Sequence, residues 1–255
     1  MNIVVCMKQV PDLVEELELN DAGTGLNREY LKYVLNEFDD QALEQGLLLK
    51  EKHGGTLTAI ALDAPDVDQT LFTCLAKGAD KAMKVTGDFA NGVSSHAAAR
   101  ILADALKTMP HDLILTGVQS VEDLDGQLAP LLATYLDEPH VSVVTGVDVS
   151  AKVATVKQEY AGGVMAEFEV DLPAVLGVQA APQSPRYTPV SKVRAMMKEK
   201  KLDAISAGVA NGAGIEVLSM SKPQSSSHAE MIEGDTDAVV EKIVSIIAER
   251  GLLKK

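Results

Sequence analysis

Apolar, strand-like runs alternate with amphipathic helical segments through the first half of this sequence. The predicted strands are residues 2–10, 57–62, 81–85 and 113–115. The predicted helices begin at Asn36, which is expected to be the N-cap of the first one, at Val67, at Ser94 or Ser95, and near Gly126. The third of them has Ala98, Ile101, Leu102 and Ala105 on its apolar face. Strands and helices that alternate in this way form right-handed βαβ crossovers, which give a parallel sheet covered by helices on both faces. The alternation therefore predicts an α/β fold built on a parallel sheet.

The second half of the sequence changes pattern twice. Extended segments come first, at residues 141–149, 153–160, 164–170 and 174–178, with a hairpin turn at residues 161–163. They predict an antiparallel extension at the edge of the sheet. From Tyr187 to a last helix at residues 235–251 no core pattern is evident, which is unusual for a loop in a compact domain. We therefore predict an α/β domain over residues 1–184 and, over residues 185–255, an arm that lies on a partner.

The carboxyl ends of the predicted parallel strands indicate where a ligand binds. Ligands of such sheets lie at these ends, which are here residues 6–8, 62–64 and 117–120. The turn after the last strand offers Gly117, Gln119, Ser120 and Gly126, with backbone N–H groups at a helix N-terminus, and so suits a phosphate. Such residues also occur in purely structural strand-to-helix turns. The same turn carries carboxylates that fit helix capping, ribose binding or metal ligation: Glu122, Asp123 and Asp125.

Composition excludes several classes of function. The net charge of −14 argues against a nucleic-acid-binding protein, which needs Lys and Arg to neutralise phosphates. We expect no membrane insertion, because no apolar run has the length of a membrane-spanning helix. Cys6 and Cys74 lack the spacing of a metal or disulfide site, so we expect reduced thiols in a bacterial cytoplasm. The five His residues are scattered singly, and no catalytic constellation is evident.

Five stretches, in order along the chain, resemble the β (small) subunit of electron transfer flavoproteins. They are VVCMKQVPD (residues 4–12), LNEFDDQALEQGLLLKE (35–51), LAKGADKA (75–82), TGVQSVEDLDGQ (116–127), and EYAGGVMAEFEVDLPAVLGVQ with PRYTPVSKV (159–193). The resemblance extends from Met1 to about Leu253. It implies a Rossmann-like α/β domain, similar to that of adenine-nucleotide hydrolases, with an antiparallel edge extension and a C-terminal arm.

The resemblance also implies an assembly and a role. The chain is expected to pair with an electron transfer flavoprotein α subunit, which the C-terminal arm clasps. The heterodimer would carry electrons from flavin dehydrogenases, such as acyl-CoA dehydrogenases, to an acceptor. This chain would bind AMP as a structural ligand, while FAD would lie mainly in the α subunit. The chain would then be an electron-carrier subunit without a catalytic site of its own.

The family's functional residues fall on particular positions of this sequence. The nucleotide contacts implied by the resemblance are Cys6, Asn36, Glu37, Phe38, Asp39, Leu62, Gly117, Val118, Gln119, Ser120, Val121, Glu122, Asp123, Leu124, Asp125, Gly126, Gln127 and Leu128. Leu13 falls where some relatives place an aromatic residue near the flavin. The segment that docks onto redox partners falls on Tyr187, Pro189, Val190 and Val193, with Val190 as the apolar anchor.

Two alternatives remain at this point. Electron-bifurcating members of the family place a second FAD in the β subunit, usually with a Thr near position 125 and a Gly at position 129. This chain has Asp125 and Ala129, which favours AMP. The other alternative is a standalone adenine-nucleotide-binding protein or hydrolase, with Asp123 and Asp125 as metal ligands. The long arm favours a subunit, because a standalone enzyme has no need of it.

Overall fold

The computed structural model describes residues 1–29, 31–87, 89, 93–206, 217–223, 229 and 231–253. Its strands are β1 (Asn2–Cys6), β2 (Gln9–Pro11), β3 (Tyr33–Leu35), β4 (Thr56–Leu62), β5 (Lys81–Thr86), β6 (Leu113–Gly117), β7 (His140–Ser150), β8 (Val153–Tyr160), β9 (Val164–Asp171), β10 (Ala174–Val178) and β11 (Asp203–Ser206). Its α-helices are α1 (Glu37–His53), α2 (Val67–Lys77), α3 (Ser95–Leu106), α4 (Leu128–Leu136), α5 (Val190–Glu199) and α6 (Thr236–Glu249). The chain divides into two compact units, Met1–Leu218 and Ser219–Lys255.

Within the described residues, nine strands form one sheet in the order β11-β5-β4-β1-β6-β10-β7-β8-β9. The strands from β11 to β7 are parallel, and β7, β8 and β9 continue the sheet as an antiparallel extension. A short turn at Ala161–Gly163 joins β8 to β9. The predicted α/β class, the antiparallel extension and the hairpin turn are thus confirmed.

Helices cover both faces of the sheet. On one face Leu43 and Leu47 of α1 belong to a core cluster with Val5 of β1. On the other face Leu106 of α3 and Leu132 of α4 belong to a cluster with Val4 and Ile114. Successive strand residues point to opposite faces, and both faces are buried, so the central strands are apolar throughout. This explains why the strands were recognisable from the sequence as unbroken apolar runs.

Two predicted strands differ from the structure. Residues 2–10 form two strands instead of one, because the chain leaves the large sheet after Cys6 and β2 pairs with β3 in a separate two-stranded sheet. The second is β10, which we placed in the antiparallel extension. It lies instead between β6 and β7 and is parallel to both. All five of its residues are buried, as expected for a central strand with both faces covered.

The region predicted to lack a core pattern contains α5 and β11. Helix α5 packs against α2 and buries Val193, while β11 pairs in parallel with β5 at the edge of the sheet. A mostly exposed helix and a four-residue strand leave a weak sequence pattern, which explains why both were missed. Residues 207–216, 224–228 and 230 of the predicted arm lie outside the described residues. The predicted last helix is confirmed as α6.

None of the described helices combines the length and the apolar character that crossing a membrane requires.

An ion pair between Glu44 of α1 and Arg186 fixes the chain that leads into α5. The Glu44 side chain is only 1% exposed and accepts hydrogen bonds from Arg186 Nε, Nη2 and backbone N–H at 2.9–3.0 Å, and from Gln183 Nε2 at 2.8 Å. Burial alone would raise the pKa of Glu44, but these bonds outweigh it and lower the pKa below its usual value. Arg186 also bonds Glu51 at 2.7 Å. Although the Arg186 side chain is 30% exposed, Glu44 is buried, so loss of Arg186 would leave a buried carboxylate without its cation, which is costly.

We expect Arg186→Met to lower the free energy of unfolding by about 3–5 kcal/mol at pH 7, because it leaves the Glu44 carboxylate buried without its partner. Denaturant titration would measure the loss. The deficit should shrink as pH falls through the pKa of Glu44, since a protonated carboxyl no longer needs a cation. The matched control is Lys107→Met, at the exposed Lys107–Asp104 pair, which should cost about 1 kcal/mol or less. Equal losses in the two variants would contradict the prediction.

Candidate functional site

A cleft opens where β1, β4 and β6 end, at the carboxyl edge of the parallel sheet. All three strand-end segments expected to meet there line it, and its space is about 1080 Å³ including the part open to solvent. The predicted site residues on its wall are Cys6, Asp39, Leu62, Gly117, Val118, Gln119, Ser120, Glu122, Asp123 and Leu128. The strand-end rule therefore located the cleft correctly.

Asp39, in the first turn of α1, connects two of these strand ends. Its buried carboxylate accepts the backbone N–H of Lys8 at 2.7 Å and that of Gly117 at 2.9 Å. A Cβ atom at Gly117 would overlap the Asp39 carboxylate and the backbone of Phe38, so only glycine allows this close approach. The carboxylate thus holds the chain after β1 and the end of β6 at one position beneath the cleft.

Asn36 precedes α1 and was predicted to cap that helix through its side chain. The structure contradicts this, because Asn36 makes no side-chain cap bond. Its Nδ2 instead donates to the carbonyl of Gln119 at 2.9 Å, and its backbone N–H donates to the carbonyl of Lys8 at 3.0 Å. The side chain therefore holds the turn after β6 against the start of α1.

The turn between β6 and α4 is closed by its own hydrogen bonds. Ser120 and Asp123 exchange backbone bonds at 3.0 and 3.2 Å, and Gly126 adopts a positive φ of 65°. Asp123 Oδ2 accepts the N–H of Gln127 at 3.0 Å, just before α4 begins. One carboxylate therefore already satisfies an N–H group at this helix start. A phosphate here must rely on other donors of the cleft.

Lys8 supplies a positive charge at the polar end of the cleft. Its ammonium lies 2.8 Å from Glu122 Oε2 and 3.4 Å from Ser120 Oγ. The chain at Lys8 is fixed on both sides, since its N–H bonds Asp39 and its carbonyl bonds Asn36. Lys8 lies in the strand-end segment 6–8, where a ligand was predicted to bind, but it is not among the nucleotide contacts that the resemblance implies.

The other predicted site residues lie beside the cleft without lining it: Asn36, Glu37, Phe38, Val121, Leu124, Asp125, Gly126 and Gln127. The sequence did not predict several lining residues: Gln9, Arg28, Tyr33, Phe89, Val93, Ser95, Ala98 and Leu102. For Ala98 and Leu102 a signal existed, because both fall on the apolar face predicted for α3. The polar stretch around Arg28 and Tyr33 carried no sequence signal that could have predicted their place in the cleft. Tyr33 and Phe89 place aromatic rings at a cleft for which composition gave no hint of a stacking surface.

Metal ligation lacks support in this structure. Among the described residues, no three His, Cys, Asp or Glu side chains are grouped so that they could hold an ion. The Asp123 carboxylate is bonded to the backbone of Gln127. The donor set thus does not support the metal-dependent hydrolase with Asp123 and Asp125 as ligands.

Comparison with known proteins identifies the family. A sequence model described as the electron transfer flavoprotein domain matches residues 24–211. The electron transfer flavoprotein subunit beta of Methylophilus methylotrophus is 32% identical over 262 residues, covering 98% of both chains. The chain belongs to the electron transfer flavoprotein β-subunit family. The subunit beta of Clostridium acetobutylicum is 30% identical over 257 residues, again covering 98% of both chains. Protein FixA of Azotobacter vinelandii is 31% identical over 218 residues, or 82% of this chain and 77% of that one.

In this electron transfer flavoprotein β-type chain, the expected docking residues lie around the start of α5. Tyr187 is 86% exposed, Val190 is 62% exposed, and Pro189 between them is also exposed. Val193 is 8% exposed and lies on the buried side of α5, so it is not available to a partner. Leu13, the residue expected near the flavin, is 61% exposed. Three of the four docking residues, and Leu13, are therefore accessible on the surface of the chain.

Asp39 is expected to titrate close to neutral pH. Burial raises the pKa of its carboxyl to about 7, although the N–H groups of Gly117 and Lys8 stabilise the charged form. In the unfolded chain the value is about 3.9. Because folding raises this pKa, the contribution of Asp39 to stability is full below about pH 4 and is lost as pH rises through about 7.

The carboxyl carbon of Asp39 should thus show a midpoint near pH 7 in an NMR titration. The unfolding free energy of the protein, relative to that of Asp39→Asn, should fall between pH 4 and pH 7. Asp21→Asn, at an exposed position, controls for loss of an acidic side chain without burial. A carboxyl midpoint near pH 4 for Asp39, with no pH-dependent difference between the two proteins, would show that this prediction is wrong.

Proposed function

We propose that this chain is the β subunit of a heterodimeric electron transfer flavoprotein, with AMP bound in its own cleft and FAD held mainly by a partner α subunit. Membership of the family establishes a role in electron transfer. The observation that supports the finer assignment is the cleft at the ends of β1, β4 and β6, which Asp39 anchors. FAD supplies the redox chemistry when bound. AMP has none, so in this proposal it stabilises the chain, which has no catalytic site of its own.

The residues of the cleft fit an adenine nucleotide. Leu62, Phe89, Val93 and Leu102 give it apolar walls that suit a flat base. Gln9 Oε1 is buried and has no hydrogen-bond partner among the described residues, which leaves an acceptor for an amino or hydroxyl group of a ligand. At the polar end, the Lys8 ammonium and the Ser120 hydroxyl suit a phosphate.

A second FAD in this cleft is the alternative within the family. The residues that go with it in bifurcating members, a Thr near position 125 and a Gly at position 129, are absent here. Ala129 is buried within α4, so its methyl group fills part of the core. We therefore favour AMP.

We expect the protein, purified with its α partner, to contain one AMP and one FAD per heterodimer. Heat release followed by mass spectrometry would identify the nucleotide, and absorbance would count the flavin. Two FAD molecules and no AMP per heterodimer would move the protein to the bifurcating class.

Removal of AMP should chiefly destabilise the protein. A ligand that binds only the folded state stabilises it by about 4 kcal/mol at a thousandfold excess over Kd. Thermal unfolding of exchanged samples with and without AMP would measure this. If the nucleotide-free heterodimer were equally stable but failed to transfer electrons, the structural role would be wrong.

The exposed apolar residues of the C-terminal unit support the proposal that this chain has an obligate partner subunit. Among the described residues of this unit, helix α6 has no buried residue, and Val240, Ile243 and Val244 are exposed. An isolated helix of this length is only marginally stable in water. We infer that the α subunit covers this apolar surface, as a clasping arm requires. The free, buried thiols of Cys6 and Cys74 fit the reducing cytoplasm that we propose as its compartment.

The start of α5 is proposed as the docking surface for flavin dehydrogenases such as acyl-CoA dehydrogenases. Exposed Tyr187, Pro189 and Val190 form its apolar part, and we leave the buried Val193 out. Lys192 and Arg194, also exposed, would steer an acidic partner. The Glu44–Arg186 pair fixes the chain immediately before this surface.

Val190→Ala should weaken coupling to the dehydrogenase by roughly tenfold, because burial of a small apolar side chain contributes about 1–2 kcal/mol. Flavin content and melting temperature should stay unchanged. Steady-state kinetics with varied heterodimer concentration would measure the effect. Val164→Ala, at a 59% exposed position on β9, is the matched control and should couple normally. Loss of flavin or subunit dissociation, with normal kinetics per intact heterodimer, would place Val190 in the subunit interface instead.

A further inference from the structure

The acidic groups around the cleft differ in how they are neutralised. Asp39 is bonded to two backbone N–H groups, Asp123 to the N–H of Gln127, and Asp63 lies 3.5 Å from the Lys84 ammonium. Glu122 is different, because the contact described for its carboxylate is the Lys8 ammonium at 2.8 Å. The charge of Glu122 is therefore balanced by a cation that also belongs to the ligand cleft.

The two ends of this ion pair differ in how firmly they are held. The backbone of Lys8 is bonded on both sides, to Asp39 and to Asn36, so its side chain starts from a fixed point at the polar end of the cleft. Glu122 lies in an exposed part of the turn after β6. Both side chains are partly exposed, and an ion pair of that kind is weak because water solvates each charge well. The contact can therefore exchange at little cost.

We propose that Lys8 binds the phosphate of the nucleotide and that Glu122 is a competing counterion, which gives up Lys8 when the phosphate enters. The proposal rests on the proposed nucleotide site and adds to it a residue that distinguishes a nucleotide from a nucleoside. A phosphate carries up to two negative charges and several acceptor oxygens, so it bonds an ammonium more strongly than one exposed carboxylate does. Ser120 Oγ, 3.4 Å from the same ammonium, is placed to join the contact.

Competition between Glu122 and the phosphate for Lys8 predicts a different result from simple repulsion between Glu122 and the phosphate. If Glu122 must release Lys8, then removing its charge should improve binding of AMP, and the improvement should require Lys8. If Glu122 only repels phosphate from a distance, its removal should improve binding by the same factor whether or not Lys8 is present. A double-mutant cycle separates the two cases.

The experiment measures the Kd values of AMP and adenosine by equilibrium dialysis, on the full chain in complex with its α partner after exchange of bound ligand. Lys8→Met should weaken AMP binding by about tenfold or more and leave adenosine binding within about twofold. Glu122→Gln should tighten AMP binding by roughly threefold to tenfold, without changing adenosine binding. In the Lys8→Met background, Glu122→Gln should have little effect.

The matched control is a second exposed Lys–Glu pair, Lys32 and Glu15, which are 2.7 Å apart and do not line the cleft. Lys32→Met and Glu15→Gln should leave both Kd values unchanged. The Glu122→Gln arm changes an exposed side chain, so it remains informative even if Lys8→Met reduces the yield of folded protein.

The outcomes separate this inference from the proposed function. If the unmodified protein binds neither AMP nor adenosine, the nucleotide site fails and this inference fails with it. If the protein binds both ligands but Lys8→Met weakens the binding of AMP and of adenosine equally, only the inference is overturned. The same holds if Glu122→Gln tightens AMP binding by the same factor in the unmodified protein and in Lys8→Met. Selective loss of AMP binding in Lys8→Met, with coupled effects in the cycle, supports it.

Discussion

The buried carboxylate of Asp39 is the interaction on which the candidate site depends. It joins three separate parts of the chain, because it sits on α1 and accepts N–H groups from Lys8 after β1 and from Gly117 at the end of β6. Asp39 is the acceptor described for each of these N–H groups, and an N–H group without a partner away from water is costly. One side chain therefore satisfies the backbone and fixes the floor of the cleft. The absence of a side chain at Gly117 is the condition for this contact.

Side-chain hydrogen bonds to the backbone also fix the polar side of the cleft. Asn36 holds the carbonyl of Gln119, and Asp123 caps the backbone before α4. Polar groups of the turn are thus largely bonded within the protein, and the exchangeable charge is at Lys8 and Glu122. In the proposed nucleotide site, the groups that position the ligand would be rigid and the groups that recognise its charge would be adaptable. That division would suit the proposed role of AMP as a structural ligand.

The sequence predicted the parts of the fold that depend on local pattern, and it failed where distant contacts decide. The runs that became β4 and β6 were recognisable because burial on both faces makes them apolar throughout. For β10 the strand itself was recognised but its neighbours were not, since periodicity carries no information about pairing. Asn36 was assigned to a cap by residue type, yet its partner, Gln119, is 83 positions away. The strand ends located the cleft, whereas Arg28 and Tyr33, the first residue of the short strand β3, belong to a polar stretch that has no sequence pattern.

The position of β10 has a consequence for how the chain folds. This strand is threaded between β6 and β7, and β7 precedes it in the sequence. During synthesis β6 therefore has no neighbour on that side until residues 174–178 have left the ribosome, by which time the β7–β9 extension is complete. The extension must stay apart from β6 to leave a gap one strand wide. Contacts between residues so distant in sequence form slowly. The gap between β6 and β7 thus stays open until β10 is available, and truncation before Val178 should leave two open edges prone to aggregation instead of a smaller stable domain.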